Sequence, residues 1–265
     1  MIALNIGFIG GGALAEAVIR GIAGKLVDAQ NIFVADFDQR RVDHLNRTYR
    51  VNATDDANQF LGKLDLLIVA VKPKDAVNAL KGIRHLDQSV LILSVVAGFP
   101  IRSIEKVFPD HAIIRAMPNV ALAVGEGMVA IAGNQNVSAQ QIDEIRNLWS
   151  AIGRCVVLDE KLLDAVTGLS GSGPAFAFLV IDALSDGGVL AGLPRGTAIE
   201  LAAQTMLGAA KMVLEGGHPD VLRDKVTSPA GTTIEGIRVL ERGAVRSAFI
   251  EAVVAATEKS KALGQ

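Results

Sequence analysis

The chain has 265 residues, half of them hydrophobic and a fifth charged, with a formal net charge of -2. That length holds one large or two moderate domains with a buried core, and the composition is that of an ordered globular protein. The near-neutral balance excludes a general basic surface for nucleic acid. Cys155 is the only cysteine, which excludes an internal disulfide and favours a reducing, cytoplasmic setting. Met1 to Leu4 has no basic n-region, so no signal peptide is expected. The longest charge-free run, Ala165 to Ile181, contains Ser170-Gly171-Ser172-Gly173-Pro174 and makes a poor membrane span, so no membrane partner is expected.

In chain order, the first element is an apolar strand over Leu4-Asn5-Ile6-Gly7-Phe8-Ile9. It runs into Gly10-Gly11-Gly12-Ala13-Leu14-Ala15 and then into a helical pattern of Leu14, Val18 and Ile22. Gly10, Gly12 and Ala15 have the G-x-G-x-x-A spacing of a dinucleotide-binding turn. Gly10 allows the sharp turn, Gly12 lets backbone N–H groups approach a pyrophosphate, and Ala15 lets helix and strand lie close. The helix N-terminus adds unpaired N–H groups and a positive dipole end.

A second strand, Ile32 to Ala35, ends at Asp36. An acidic residue there accepts hydrogen bonds from the adenosine ribose and repels a 2′-phosphate, although Asp36 lies 26 residues past Gly10 against a usual spacing of about 20. Asp38 adds negative charge, whereas Arg40 and Arg41 offer a grip on a phosphate; solvated turn charges are the other reading. Leu64 to Val71, Val90 to Val96 and His111 to Ala116 read as buried parallel strands. They end in Lys72-Pro73, Ala97-Gly98 and Met117-Pro118-Asn119, the turn-forming residues that a doubly wound sheet needs along its carboxyl edge. Gly127 to Ala132 and Cys155 to Leu158 supply two further strands, separated by a helix over 138–152 with Ser138 as N-cap.

From Leu162 onward only helices are expected: one with Pro174 in its first turn, one from Pro194 to Gly216-Gly217, one from Thr232 and one over 244–263. The small residues after Pro194 and the even apolar content suit burial in a subunit interface, with a compact monomeric bundle as the other reading. The predicted class is therefore α/β, a Rossmann-type doubly wound sheet over 1–160 followed by an all-helical domain over 161–265. The four histidines read as solvated surface residues, and no metal site is expected. Between the last helices lies Val226-Thr227-Ser228-Pro229-Ala230-Gly231-Thr232-Thr233-Ile234-Glu235. Thr232 and Glu235 match the T-x-x-E capping box, while Ser228 and Thr233 surround a helix N-terminus suited to a small carboxylate.

These residues resemble the pyrroline-5-carboxylate reductase family over essentially the whole chain. The resemblance rests on Gly7-Phe8-Ile9-Gly10, Ala70-Val71-Lys72-Pro73, Arg115-Ala116-Met117-Pro118-Asn119, Gly168-Leu169-Ser170-Gly171-Ser172-Gly173-Pro174-Ala175 and Ser228-Pro229-Ala230-Gly231-Thr232-Thr233. Ala230 stands where glycine is commoner in the family, a change the loop tolerates if its φ is negative. The resemblance implies reduction of 1-pyrroline-5-carboxylate to L-proline by a reduced nicotinamide cofactor, usually NADPH, with NADH the alternative. It also implies a helical dimerisation domain, a homodimer, and often a ring of dimers. Cofactor contacts map onto Ile9, Gly10, Gly11, Gly12, Ala13 and Leu14, onto Asp36, onto Ala70, Val71, Lys72 and Pro73, and onto Val95, Val96 and Ala97. Substrate contacts map onto Ser228, Gly231, Thr232 and Thr233, with Glu160 as a further candidate, and Thr233 is the candidate catalytic group. Asp36 departs from the serine or threonine that NADPH users often carry. A β-hydroxyacid dehydrogenase-like reductase is the alternative enzyme, but its interdomain lysine has no counterpart, since no lysine or histidine occurs from Leu162 to Ala210. A non-catalytic nucleotide-binding regulator leaves the hydroxyl-rich loop without a use.

Overall fold

The computed structural model describes residues 4–263; the first three residues, on which the expectation of no signal peptide partly rests, lie outside them. The chain packs as two compact units, one running to Gly171 and including the chain from Ala255 onward, the other comprising Ser172–Val254.

The first unit is built on eight strands: β1 (Ile6–Ile9), β2 (Ile32–Ala35), β3 (Asn52–Thr54), β4 (Leu66–Val69), β5 (Leu91–Ser94), β6 (Ile113–Met117), β7 (Gly127–Gly133) and β8 (Gly153–Val157). Their order in the sheet is β3-β2-β1-β4-β5-β6-β7-β8. All neighbours run parallel except β6 and β7. The chain leaves β1 toward β2 on one side and returns to β4 on the other, so the crevice at the carboxyl ends of β1 and β4 is the topological switch point where ligands of such sheets bind.

Period-two alternation sends β1 to β6 into two cores. Ile6, Phe8, Leu66 and Ile68 join Val18, Ile19 and Ile22 on one face. Ile9, Leu67, Val69 and Ile92 join Ala76 and Leu80 on the other. Burial on both faces explains the continuous apolar runs in the sequence. Four helices of this unit are α1 (Ala13–Ile22), α2 (Gln39–Tyr49), α3 (Pro73–Lys81) and α4 (Ile101–Glu105). They are followed by α5 (Ala139–Ser150), where Ser138 and Gln141 form a reciprocal capping box, and α6 (Leu163–Val166), which leads into a π-helical turn over Thr167–Gly171. Ser138 thus caps as its sequence predicts.

The remaining helices are α7 (Gly173–Leu190), α8 (Arg195–Leu214), α9 (Pro219–Lys225), α10 (Thr232–Arg242) and α11 (Val245–Leu263). The end of α11 returns to the first unit, where Ser260 Oγ donates to Asp164 Oδ1 at 2.7 Å. The helices α7 and α8 expose many large apolar side chains, among them Phe178, Leu179, Leu190 and Leu201. By length and composition, the helical run over residues 160–190 is long and apolar enough to cross a membrane. Its π turn and the Gly171-to-Pro174 segment interrupt it where the sequence suggested a poor span.

His111 is buried rather than solvated: Nε2 meets the Asp87 carbonyl at 3.2 Å, the ring packs edge-on against Phe108, and Nδ1 has no partner among the described residues. The capping box at Thr232 does not form. Helix α10 is capped one residue earlier by Gly231, without a side-chain bond, and Glu235 turns outward to Arg238 at 2.9 Å.

Candidate active site

The glycine turn leaves β1 with its strand pairing extended by one residue on each side. Gly10 N–H donates to Ala35 O, and Ala70 N–H to Ile9 O, both at 2.8 Å. Gly10 has φ +98°, and a side chain there would stand 2.7 Å from the Ala70 carbonyl oxygen, so only glycine fits. Gly12 is the N-cap of α1, with φ −68°, ψ −176° and no side-chain cap bond. A Cβ on Gly12 would meet nothing within 4 Å. Open space before uncapped helix amides leaves room for a pyrophosphate, so the turn fits a dinucleotide. Ala15 is buried beneath it, as the fingerprint requires.

Of the other cofactor candidates, Ile9, Val95 and Val96 are buried, Ala13, Lys72, Pro73 and Ala97 are exposed, and Leu14, Ala70 and Val71 are intermediate. Ile9, Ala70 and Val71 stand at the carboxyl ends of β1 and β4, the two strands of the switch point. Lys72 is the N-cap of α3 and Pro73 its first residue, so a second uncapped helix start lies beyond β4.

Asp36 is tied to the turn. Its Oδ2 accepts the Gly11 N–H at 2.7 Å and its Oδ1 the Asp38 N–H at 2.9 Å. Arg41 donates from Nε and Nη2 to the Gly11 carbonyl at 2.9 and 2.6 Å, and from Nη2 to Glu16 Oε2 at 2.7 Å. Glu16 Oε1 accepts from His44 Nε2 at 2.7 Å and Tyr49 OH at 3.1 Å. Burial raises the Glu16 pKa, but the bonds from His44, Arg41 and Tyr49 outweigh it and hold the carboxyl at about 2. Arg40 instead pairs with Asp38 at the surface. Sequence reasoning passed over Phe37, which is 95% exposed beside Asp36; an aromatic following the acidic end of β2 was the available signal.

Glu160 lies just before α6. Its Oε1 accepts the Ile101 N–H at 2.8 Å and Arg115 Nη1 at 3.2 Å. The Arg115 side chain is only 6% exposed, and a buried guanidinium of this kind needs a carboxylate partner. Asn119, from the same sequence motif, donates to Ser170 O at 3.1 Å and accepts the Ala121 and Met128 N–H groups.

In the second unit, Ser228 to Gly231 form a turn closed by the Gly231 N–H to Ser228 O bond at 3.1 Å. Pro229 takes its second position, and Ala230 the third with φ +58°. The negative φ on which tolerance of alanine depended is not adopted. Ala230 occupies the left-handed conformation for which type II turns select glycine. Behind the turn, Thr232 and Thr233 open α10 and are exposed, as is Ser228. With Gly231 as an uncapped N-cap, the first amides of α10 keep no side-chain acceptor. The structure therefore brings Ser228, Gly231, Thr232 and Thr233 together, and the cofactor candidates together, each within its own unit.

Across 264 residues the chain is 47% identical to the pyrroline-5-carboxylate reductase of Synechocystis sp., covering 99% of each protein. The chain belongs to the pyrroline-5-carboxylate reductase family. The family model described as pyrroline-5-carboxylate reductase dimerisation matches residues 160–263, and one described as NADP oxidoreductase coenzyme F420-dependent matches residues 5–98. Among solved structures, a pyrroline-5-carboxylate reductase from Coxiella burnetii superposes with a TM-score of 0.92 at 34% identity, with full coverage of both chains. The Plasmodium falciparum pyrroline carboxylate reductase with NADP bound gives 0.89 at 30% identity, again over the whole of both chains. The Rossmann-type sheet followed by a helical dimerisation domain is thus this family's architecture.

Proposed function

We propose that this protein reduces 1-pyrroline-5-carboxylate to L-proline with NADPH or NADH, the closing step of proline biosynthesis. The observation that carries the reading is the uncapped N-terminus of α10 behind the Ser228-to-Gly231 turn, in a chain that also offers an uncapped glycine turn at a topological switch point. A family relative crystallised with NADP supports that choice of cofactor.

In this reading Gly10 to Leu14 hold the pyrophosphate, Asp36 meets the adenosine ribose, and Phe37 offers its exposed ring to the adenine. Ala70 to Pro73 and Val95 to Ala97 border the nicotinamide end. When bound, the cofactor supplies the hydride. The amides of Gly231, Thr232 and Thr233, with Ser228 Oγ, hold the substrate carboxylate at the positive end of α10. Thr233 Oγ meets the ring nitrogen as a hydrogen-bond partner. A cyclic imine is protonated before or during reduction, so a hydroxyl suffices where a carbonyl would need a true acid. Glu160 is a further substrate candidate, with Oε1 already engaged by Arg115 and the Ile101 N–H.

We assign the cofactor to residues 1–160 and dimerisation and substrate binding to 161–265, a division supported by the dimerisation match beginning at residue 160. The exposed apolar faces of α7 and α8 are then buried against a second copy rather than in a membrane, and dimers associating into rings extend the same reading. The reaction is placed in the cytoplasm, in keeping with Cys155 as a lone free thiol.

The test is steady-state kinetics of two variants beside their melting temperatures. Thr233→Ala lowers kcat by roughly ten- to a hundredfold, and Ser228→Ala raises KM for the imino acid without changing cofactor affinity. Unchanged kinetics in both would refute the clamp.

A further inference from the structure

The side chains of α2 reach across to the glycine turn in a way that no short motif announces. A peptide unit is planar and trans, so the Gly11 carbonyl and the Gly12 N–H lie in one rigid plane and point to opposite sides. Arg41 holds that carbonyl with two donors, Nε at 2.9 Å and Nη2 at 2.6 Å. It therefore fixes the direction of the Gly12 amide, at the N-cap of α1. The preceding peptide is held from its other edge, by Asp36 Oδ2 on the Gly11 N–H at 2.7 Å. Two consecutive peptide planes of the turn are thus oriented by side chains from the end of β2 and from α2.

Arg41 also has an electrostatic task. Glu16 occupies the first turn of α1, where its charge stands close to any anion at the helix N-terminus. Arg41 Nη2 takes Glu16 Oε2 at 2.7 Å, and His44 and Tyr49 take Oε1. Nε and both Nη2 donors, three of the guanidinium's five, are thereby committed to the carbonyl and the carboxylate.

We propose that Arg41 is a positioning residue for the dinucleotide, acting through the Gly11 peptide and Glu16, and not a grip on a 2′-phosphate. This rests on the glycine turn being the cofactor site. Because the pyrophosphate is common to both cofactors, the effect of losing Arg41 is blind to the 2′-phosphate.

The experiment measures dissociation constants of NADPH and NADH from the fluorescence of the reduced nicotinamide, for the full chain and for Arg41→Gln and Arg41→Lys, well below each melting temperature. Arg41→Gln weakens both cofactors by roughly tenfold or more, the scale of a charge-assisted hydrogen bond, with their ratio kept within about twofold. Arg41→Lys, which restores the charge but not the fork, recovers part of that loss for both. A loss confined to NADPH makes Arg41 a phosphate ligand and overturns the proposal. Unchanged affinities with a lowered melting temperature overturn it too, leaving Arg41 as scaffold only. Failure of the unaltered protein to bind either cofactor is a separate result, which removes the cofactor reading itself.

Discussion

The Asp36 carboxylate accepts the Gly11 N–H at 2.7 Å, so the acidic residue at the end of β2 is part of the glycine turn's construction. A carboxylate oxygen has lone pairs to spare, and the same group sets the charge beside the ribose. These two roles separate on substitution. Asp36→Asn keeps an acceptor for Gly11 and removes the charge. We expect the ratio of kcat/KM for NADPH over NADH to rise by roughly tenfold, corresponding to about 1.4 kcal/mol. Asp36→Ser, which loses the bond to Gly11 as well, weakens both cofactors. An unchanged ratio in Asp36→Asn would confine Asp36 to holding the turn.

Gly12 has an extended backbone that any residue adopts, and open space where a side chain would go. Gly12→Val is therefore expected to fold, with at most about 1 kcal/mol lost at the N-cap of α1, while losing NADPH and NADH. Titration calorimetry beside a thermal melt checks this; retained affinity in the folded variant would remove the pyrophosphate from this turn.

Ala230 sits at φ +58°. A left-handed alanine costs about 1–2 kcal/mol, and a glycine there returns about 0.4–1 kcal/mol through the greater freedom of the unfolded chain. Ala230→Gly is accordingly expected to stabilise the protein by about 0.5–1 kcal/mol. Denaturant unfolding measures it, and a destabilised variant would contradict the turn geometry.

Glu16 titrates at about 2 in the folded protein, below its ordinary 4.5. Between those values the unfolded chain binds the extra proton, so stability rises with pH there. The contribution is complete above about pH 4.5 and is lost as pH falls toward 2. Glu16→Gln should flatten the acid limb of the stability curve relative to the unaltered protein, and superimposable acid limbs would contradict the Arg41–Glu16–His44 network.

Most of the sheet was legible because strands buried on both faces write themselves as apolar runs; β2 was read to the residue, β1, β4 and β5 are shorter than their apolar runs, β7 is one residue longer, and β6 and β8 are shifted by one or two residues. The three-residue β3, Asn52-Ala53-Thr54, is polar and lies at the edge, so it left no hydrophobic signal. The seven-residue α9 is mostly charged and was missed for the same reason. The antiparallel pairing of β6 with β7 has no local mark in either strand. At the candidate site, the fingerprint glycines and the Ser228-to-Thr233 loop stood out because each is contiguous. What could not be read was long-range: Asp36 and Arg41 reach Gly11 from 25 and 30 residues away, and side-chain bonds of that span follow no period. The T-x-x-E pattern at Thr232 misled, because Gly231 already supplies the cap and Glu235 has Arg238 one turn on. The left-handed Ala230 did carry a signal, Pro229 before it in a four-residue turn.

Reduction of the ring C=N bond is tested by isotope transfer. The protein is incubated with 1-pyrroline-5-carboxylate and NADPH deuterated at the transferable C4 position, and the product is analysed by mass spectrometry and NMR. The expected product is L-proline carrying a single deuterium at Cδ, the former imine carbon. Intact 1-pyrroline-5-carboxylate beside unoxidised NADPH, in a protein that binds both, would contradict it.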